Sequence, residues 1–366
     1  LLFRHRLQFS TMMIWTADIA ERTSGNQTAV VYSVYNSTNN TWIEPKIVND
    51  DGTADGYPTI TTDGNDIYVS WANSNATFEP ETITVKKLAD SFDVCVAKYN
   101  SENDCFEKPI KISNDSMFDF SPSLYAENGD VYVSYVSNDG NEPMMLNGKG
   151  YAHLVKIHND DIISVFETAS EKPIISAVAG KLNGRVKTAY VIDEDSDVKT
   201  NDDEEIYING EKITSNQTYE GNVTFTKIGG NDAIAYYSDG KIYYSFDATS
   251  WSTVQGTESR FLSPDFKFIS YGNNTTLLVN TNQESKTASN VYGCTYNGEV
   301  WSDSVKMTES DIDIKNFDAY FKTADTIGLV YTKVKHNETI SETVEDGYQK
   351  GSFEDELDLY SLVYKE

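Results

Sequence analysis

The stretch YPTITTDGNDIYVSWANS, residues 57–74, decides the fold. Apolar and polar residues alternate through Tyr57-Pro58-Thr59-Ile60, the chain turns at DGND (63–66), and the alternation resumes through IYVSWANS (67–74). Period-two alternation on both sides of a Gly/Asn turn is the mark of a β-hairpin. The unit returns as Ser121-Pro122-Ser123-Leu124, ENGD and VYVSYVSN (131–138). Looser copies turn at LNG (182–184), GGND (229–232), YGNN (271–274) and TAD (323–325). Their second strands read VKTAYVID (186–193), AIAYYSD (233–239), TTLLVNTN (275–282) and TIGLVYTK (326–333), and MMIWTAD (12–18) fits the same profile. The aligned anchors are Trp15, Trp71, Tyr135, Tyr190, Tyr236, Val279 and Tyr331.

Downstream of each hairpin a second motif recurs. A strand ends in an aromatic and an Asn or Asp, a tight turn follows, and an aromatic opens the next strand. VYSVYNSTNNTWIEPKI (31–47), VAKYNSENDCFEKPIKI (96–112), YYSFDATSWSTV (243–254) and VYGCTYNGEVWSDSVKM (291–307) carry it. Each repeat of roughly 50 residues therefore holds four strands, A to D, in a meander, which is one blade of a β-propeller. The expected fold is all-β: a single β-propeller of about seven four-stranded antiparallel blades. The blades fall near 12–56, 57–119, 120–174, 175–221, 222–262, 263–314 and 315–366, with residues 1–11 as a candidate closing strand. No segment of helical period competes.

Composition narrows the partners. Lys and Arg total 29 against 57 Asp and Glu, a formal charge of −28. A surface this acidic repels polyphosphates and anionic membranes, so nucleic acid is not expected as a partner. No apolar run is long enough to insert in a membrane. Tyr is abundant (24 residues), which suits half-buried strands. The expected setting is secreted or cell-surface, as a monomer or one module of a longer chain. No signal segment is recognisable, because Leu1–Ser10 is short and charged.

The A–B and C–D turns are short, whereas the B–C connections are long and variable. These run about 73–91, 137–149, 193–204, 281–289 and 333–355, and the D–A connections return to the same face. Loops carried on a rigid repeat scaffold collect function, so this face is the expected binding face. Its candidate ligand-binding residues are Asp55, Tyr57, Phe118, Asp119, Phe120, Tyr219 and Phe261. Aromatic rings there stack on sugars while carboxylates accept hydroxyl protons, or else the rings fill the seams between blades. The acidic loop 193–204 sets Asp193, Asp195, Asp197 and Glu204 at the spacing of positions one, three, five and twelve of an EF-hand loop, a pattern for calcium. Val198 stands where the turn glycine belongs, and a solvated acidic loop is the other reading. Cys95 and Cys105 flank the turn near residues 99–103, so they form either a cross-strand disulfide or two unlinked thiols. Zinc motifs, a nucleophile elbow and a phosphate loop are absent.

At Ser245-Phe246-Asp247 followed by Trp251, the chain resembles the Asp-box hairpin (S-x-D-x-G-x-T-W) of sialidase-like propellers, with Thr249 in place of the glycine. The resemblance implies a bacterial seven-bladed propeller. Sialidases grip their substrate with three arginines. Only Arg4, Arg6, Arg22, Arg185 and Arg260 exist here, and Phe3-Arg4-His5-Arg6 lacks the Ile-Pro of that family's FRIP element, so sialidase activity is disfavoured. The expected function is a binding propeller that recognises glycan or protein. The alternative is a carbohydrate-active enzyme, a hydrolase or lyase with paired carboxylates at the channel mouth.

Overall fold

The structure is a computed structural model. It describes residues 6–7, 10–36, 38–39, 41–140, 146–197, 200, 203–216, 218–254, 265–281, 288–311, 313–335, 343–345, 348–350 and 356–365. The chain divides into two compact units, the first holding most of residues 3–253 and the second 227–230 and 254–366.

The first unit contains five antiparallel sheets, each an up-and-down meander. Blade one runs Arg6–Leu7, Ser10–Asp18, Thr28–Asn36, then two short strands, Thr41–Trp42 and Lys46–Ile47. Blade two runs Asp55–Asp63, Asp66–Ser74, Phe92–Asn100, then Cys105–Phe106 and Ile110–Lys111. Blade three comprises Phe118–Glu127, Asp130–Asn138, Gly150–His158 and Asp161–Ser170; blade four Ile174–Leu182, Arg185–Asp193, Glu204–Ile208 and Glu211–Lys212. Blade five comprises Glu220–Ile228, Asn231–Ser238, Lys241–Ser245 and Ser252–Thr253. In the second unit, Phe266–Tyr271, Asn274–Thr281, Asn290–Tyr296 and Val305–Lys306 form blade six.

The expectation of about seven four-stranded blades is corrected here to six. The seventh repeat pairs only Ile314–Thr323, Thr326–Lys335 and Glu356–Lys365, and its insertion folds back on itself as a separate hairpin, Thr343–Glu345 with Tyr348–Lys350, instead of adding a fourth strand. Arg6–Leu7 pairs with Ser10–Thr11 and so lies on blade one. A five-residue helix, Val85–Ala89, interrupts the B–C loop of blade two, capped by the Thr84 hydroxyl accepting from the Lys87 N–H. Its length is too short for a 3.6-residue period to register in the sequence.

The core lies in the seams between blades. Met12, Ile14, Val30 and Tyr32 of blade one pack on Ile67, Val69, Trp71 and Phe106 of blade two. Phe118, Phe120 and Val136 of blade three meet Ile174, Tyr190 and Ile192 of blade four. Blades four and five join through Leu182, Ile206, Val223 and Ile234. In the second unit Leu278 and Val291 of blade six meet Phe317 and Leu329 of the seventh repeat. The alternation read in the sequence is thus the two faces of each sheet, both buried against neighbours at mid-blade.

The A strands share one irregularity. Register slips between Gly56 and Thr59 in blade two and between Phe120 and Ser123 in blade three, where Tyr57 and Ser121 take positive φ (52° and 50°) before a proline. Asn222 of blade five also takes positive φ, at 51°, with Val223 following in place of a proline. Each kink lies two residues after an acid: Asp55, Asp119 and Glu220. A bulge of this kind re-aims the strand start while leaving its tail in the ladder.

Candidate functional site

The long loops of the first unit are tied to one another laterally. Asn26, in the B–C loop of blade one, exchanges two hydrogen bonds with Phe78 in that of blade two, at 2.9 and 2.8 Å. Lys86 on the short helix donates to the Gly140 carbonyl in the B–C loop of blade three at 3.1 Å. Arg22 reaches the Thr53 carbonyl on the connection between blades one and two at 2.7 Å, and pairs with Asp50. The expected decorated face is therefore a connected belt of loops in blades one to three.

Beneath this belt lie buried acids. Asp55 opens the A strand of blade two and is 2% exposed. It accepts the Val30 N–H of blade one at 3.1 Å, the Trp71 indole N–H at 2.9 Å and the Asn73 amide at 2.9 Å. Burial nonetheless pushes its pKa to about 7, the three donors opposing. Asp119 holds the same place in blade three. It is fully buried with neither oxygen in good hydrogen-bond geometry, and burial raises it to about 7 against the nearby Ser113 and Ser137 hydroxyls, which oppose. Glu220 repeats the position in blade five, one oxygen accepting from Asn216, Thr218 and Ser238, its pKa again raised by burial. Asp265 precedes the A strand of blade six and is raised for the same reason. Asp55, Asp119 and Tyr219, the neighbour of Glu220, stand out in the sequence, whereas the one structural position that carries these acids does not. The recurring acid two residues before the kink was the available signal.

The aromatic candidates separate into two kinds. Phe118 and Phe120 are buried, stacked on each other at 4.6 Å, and belong to the seam between blades three and four. They fill the inter-blade gap and present no face to a ligand. Tyr57 is 47% exposed and its ring sits 6.1 Å from that of Phe120. Its positive φ is a strained conformation for a tyrosine, and such strain clusters at binding sites. Tyr219 is half-buried against Tyr237, 6.1 Å away. Phe261 lies outside the described residues.

Ser137, His153 and Glu167 follow one another across blade three in the order of a nucleophile relay. Ser137 Oγ lies 3.0 Å from His153 Nε2. The histidine Nδ1 is 3.6 Å from Glu167, however, and Ser137 is 1% exposed. Burial lowers the His153 pKa, and its ring stacks on Tyr135 at 4.4 Å. A nucleophile closed off from solvent is a structural hydrogen bond.

Of the two readings of the cysteine pair, the unlinked one is found: Cys95 and Cys105 are free. Asn100 belongs to the strand, its side chain accepting the Glu102 and Asn103 N–H groups, which moves the turn toward the C-terminus. Cys105 therefore faces Asn100, and Cys95 faces Lys111. On the acidic loop, Asp193 and Asp195 converge with Asp203, whereas Asp197 stands outside the group and Glu204 pairs across the strands with Asp193. At Ser245–Trp251, Asp247 Oδ1 accepts the Thr249 and Ser250 N–H groups at 2.7 and 2.8 Å, which holds its pKa well down. Trp251 packs edge-on to Tyr236. That hairpin is a fold-stabilising turn. On the opposite, short-turn side, a cavity of about 600 Å³ lies between blades two and three, lined by Tyr68, Val96, Lys98, Pro109, Val131 and Asp160.

No protein-family model matches the sequence, and no curated protein matches it. Solved structures do resemble the fold. A Trypanosoma rangeli sialidase in complex with sialic acid is 10% identical with a TM-score of 0.50, covering 99% of this chain and 53% of its own. The same organism's sialidase with 2,3-difluorosialic acid scores 0.51 at 10% identity over 91% of this chain and 51% of that one. The Pyrococcus horikoshii acylaminoacyl peptidase scores 0.52 at 10% identity, over 98% and 50%. The chain thus spans about half the length of these proteins, and at such identity the likeness establishes the fold alone: an all-β protein of sialidase-like propeller blades.

Proposed function

We propose that this chain is a non-catalytic binding propeller, secreted or displayed on a cell surface, that takes up a glycan through the long-loop face with Tyr57 as its exposed aromatic. One observation carries the choice of binding over hydrolysis. Among the described acids of the first unit on that face with raised pKa values, Asp55, Asp119, Asp193, Glu204 and Glu220 are each no more than 3% exposed. A glycosidase needs its two carboxyl groups open to the scissile bond and about 5–10 Å apart. Acids engaged in seams cannot reach a substrate. Grip on a sialic acid carboxylate is also unsupported among the described side chains. Arg22 is held by backbone carbonyls and Asp50, and Arg185 lies exposed on a short A–B turn. The net charge of −28 favours neutral glycans over nucleic acid.

A glycan array run beside a hydrolysis and lyase screen on the same panel tests this reading. Retention of a neutral glycan with no product release is the expected result. Product release from any member of the panel would establish the carbohydrate-active enzyme instead.

A further inference from the structure

We propose that the B–C loop of blade four holds a divalent cation of the calcium type, with Asp193, Asp195 and Asp203 as the ligating carboxylates and Glu204 against them. Asp193 is the last residue of the B strand and Glu204 the first of the C strand, and the two are direct cross-strand partners. The sheet therefore delivers both acids to the root of one loop. Asp193, Asp195 and Asp203 each place a carboxylate oxygen within 4.8 Å of the other two. That spread is what Ca–O bonds of about 2.3–2.6 Å allow around one ion.

A second observation sets this group apart from a solvated acidic loop. Asp193 is fully buried and Glu204 is 3% exposed, and each carries one oxygen, Oδ2 and Oε2, with no hydrogen-bond partner. The other Asp193 oxygen accepts the Ser196 N–H at 2.7 Å, which fixes the carboxylate with its free oxygen inward. Buried carboxylates without donors are costly, and an ion coordinated by them removes that cost. The neighbouring lysines do not take this role, since Lys172 and Lys212 are both bound by Glu194 on the loop's outer side. Oxygen-only ligands select a hard cation such as calcium over zinc or copper. Asp197 is exposed, and its N–H donates to Asp195 Oδ1, so its part is to orient a ligand. The EF-hand spacing and the proposed site share the loop and Asp193, Asp195 and Glu204, with Asp203 in place of Asp197.

The test uses the whole chain after chelator treatment, titrated with calcium chloride by calorimetry and with terbium, whose luminescence is excited through Tyr207 and Tyr219. One-site binding is expected, together with a calcium-dependent rise in the thermal midpoint. Asp195→Asn and Asp203→Asn should each weaken binding about tenfold or more without changing the far-UV circular dichroism of the calcium-free chain. Absence of binding at millimolar calcium, or binding unaltered in both variants, overturns the proposal. Glu204→Gln supplies a further readout. It should raise the calcium-free midpoint, by relieving a buried charge, while weakening the metal; a fall in the calcium-free midpoint would assign Glu204 to the scaffold and contradict its place in the site.

Discussion

Asp119 and Asp55 occupy equivalent positions and behave differently because of what surrounds them. Both are held near pKa 7 by burial, far above a free aspartate. The native state therefore keeps its protons to higher pH than the unfolded chain does. These groups stabilise the fold below pH about 4 and withdraw that contribution as pH rises toward about 7. Urea unfolding should give a higher midpoint at pH 5 than at pH 8. Asp119→Asn should raise stability at pH 8 by about 1–3 kcal/mol and flatten the slope, since burial outweighs the weakly placed Ser113 and Ser137 hydroxyls. Asp55→Asn should instead lower stability by about 2–4 kcal/mol at either pH, because its oxygens serve Val30, Trp71 and Asn73. A change of the same sign in both variants, or no effect from Asp119→Asn, would show that hydrogen-bond partners are not what sets these two buried acids apart. The sequence displayed both residues beside aromatics. It did not display their burial, which depends on the next blade.

At the scale of elements, the hairpins were legible and their ends were not. Trp71, Tyr135, Tyr190 and Tyr236 all lie on B strands as read, because both faces of those strands are packed and the alternation is unbroken. The turn that separates Cys95 from Cys105 lies later than the 99–103 read for it, because Tyr99 and Asn100 stay in the strand and pair with Phe106 and Cys105. The last repeat has three paired strands among its described residues, because Arg6–Leu7 of the candidate closing strand pairs with blade one instead. The seams between blades are equally specific. A Cβ on Gly180, in the A strand of blade four, would lie 2.1 Å from the Phe225 Cβ of blade five. Gly180→Val should therefore destabilise by about 1–3 kcal/mol or more, while Gly56→Ala, with open space around it, should stay within about 0.5 kcal/mol of the parent. Thermal unfolding of the two variants side by side checks this.

For the molecule as a whole, repetition places one kind of edge at one side of every blade. In the first unit, short turns lie opposite loops that hydrogen-bond from blade to blade, so the loop belt is rigid enough to carry a specific surface. What that surface binds was not legible, since the fold is shared with a sialidase and with an acylaminoacyl peptidase and the proposed site lies on the longest loops. The most direct test compares the two sides on a glycan retained by the array. The affinity of the parent chain is measured by calorimetry against Tyr57→Ala on the loop side and Arg185→Ala on the short-turn side. A loss of about tenfold or more in Tyr57→Ala, with Arg185→Ala unchanged, is the predicted result. Unaltered affinity in Tyr57→Ala with loss in Arg185→Ala would place recognition on the other side and contradict the account.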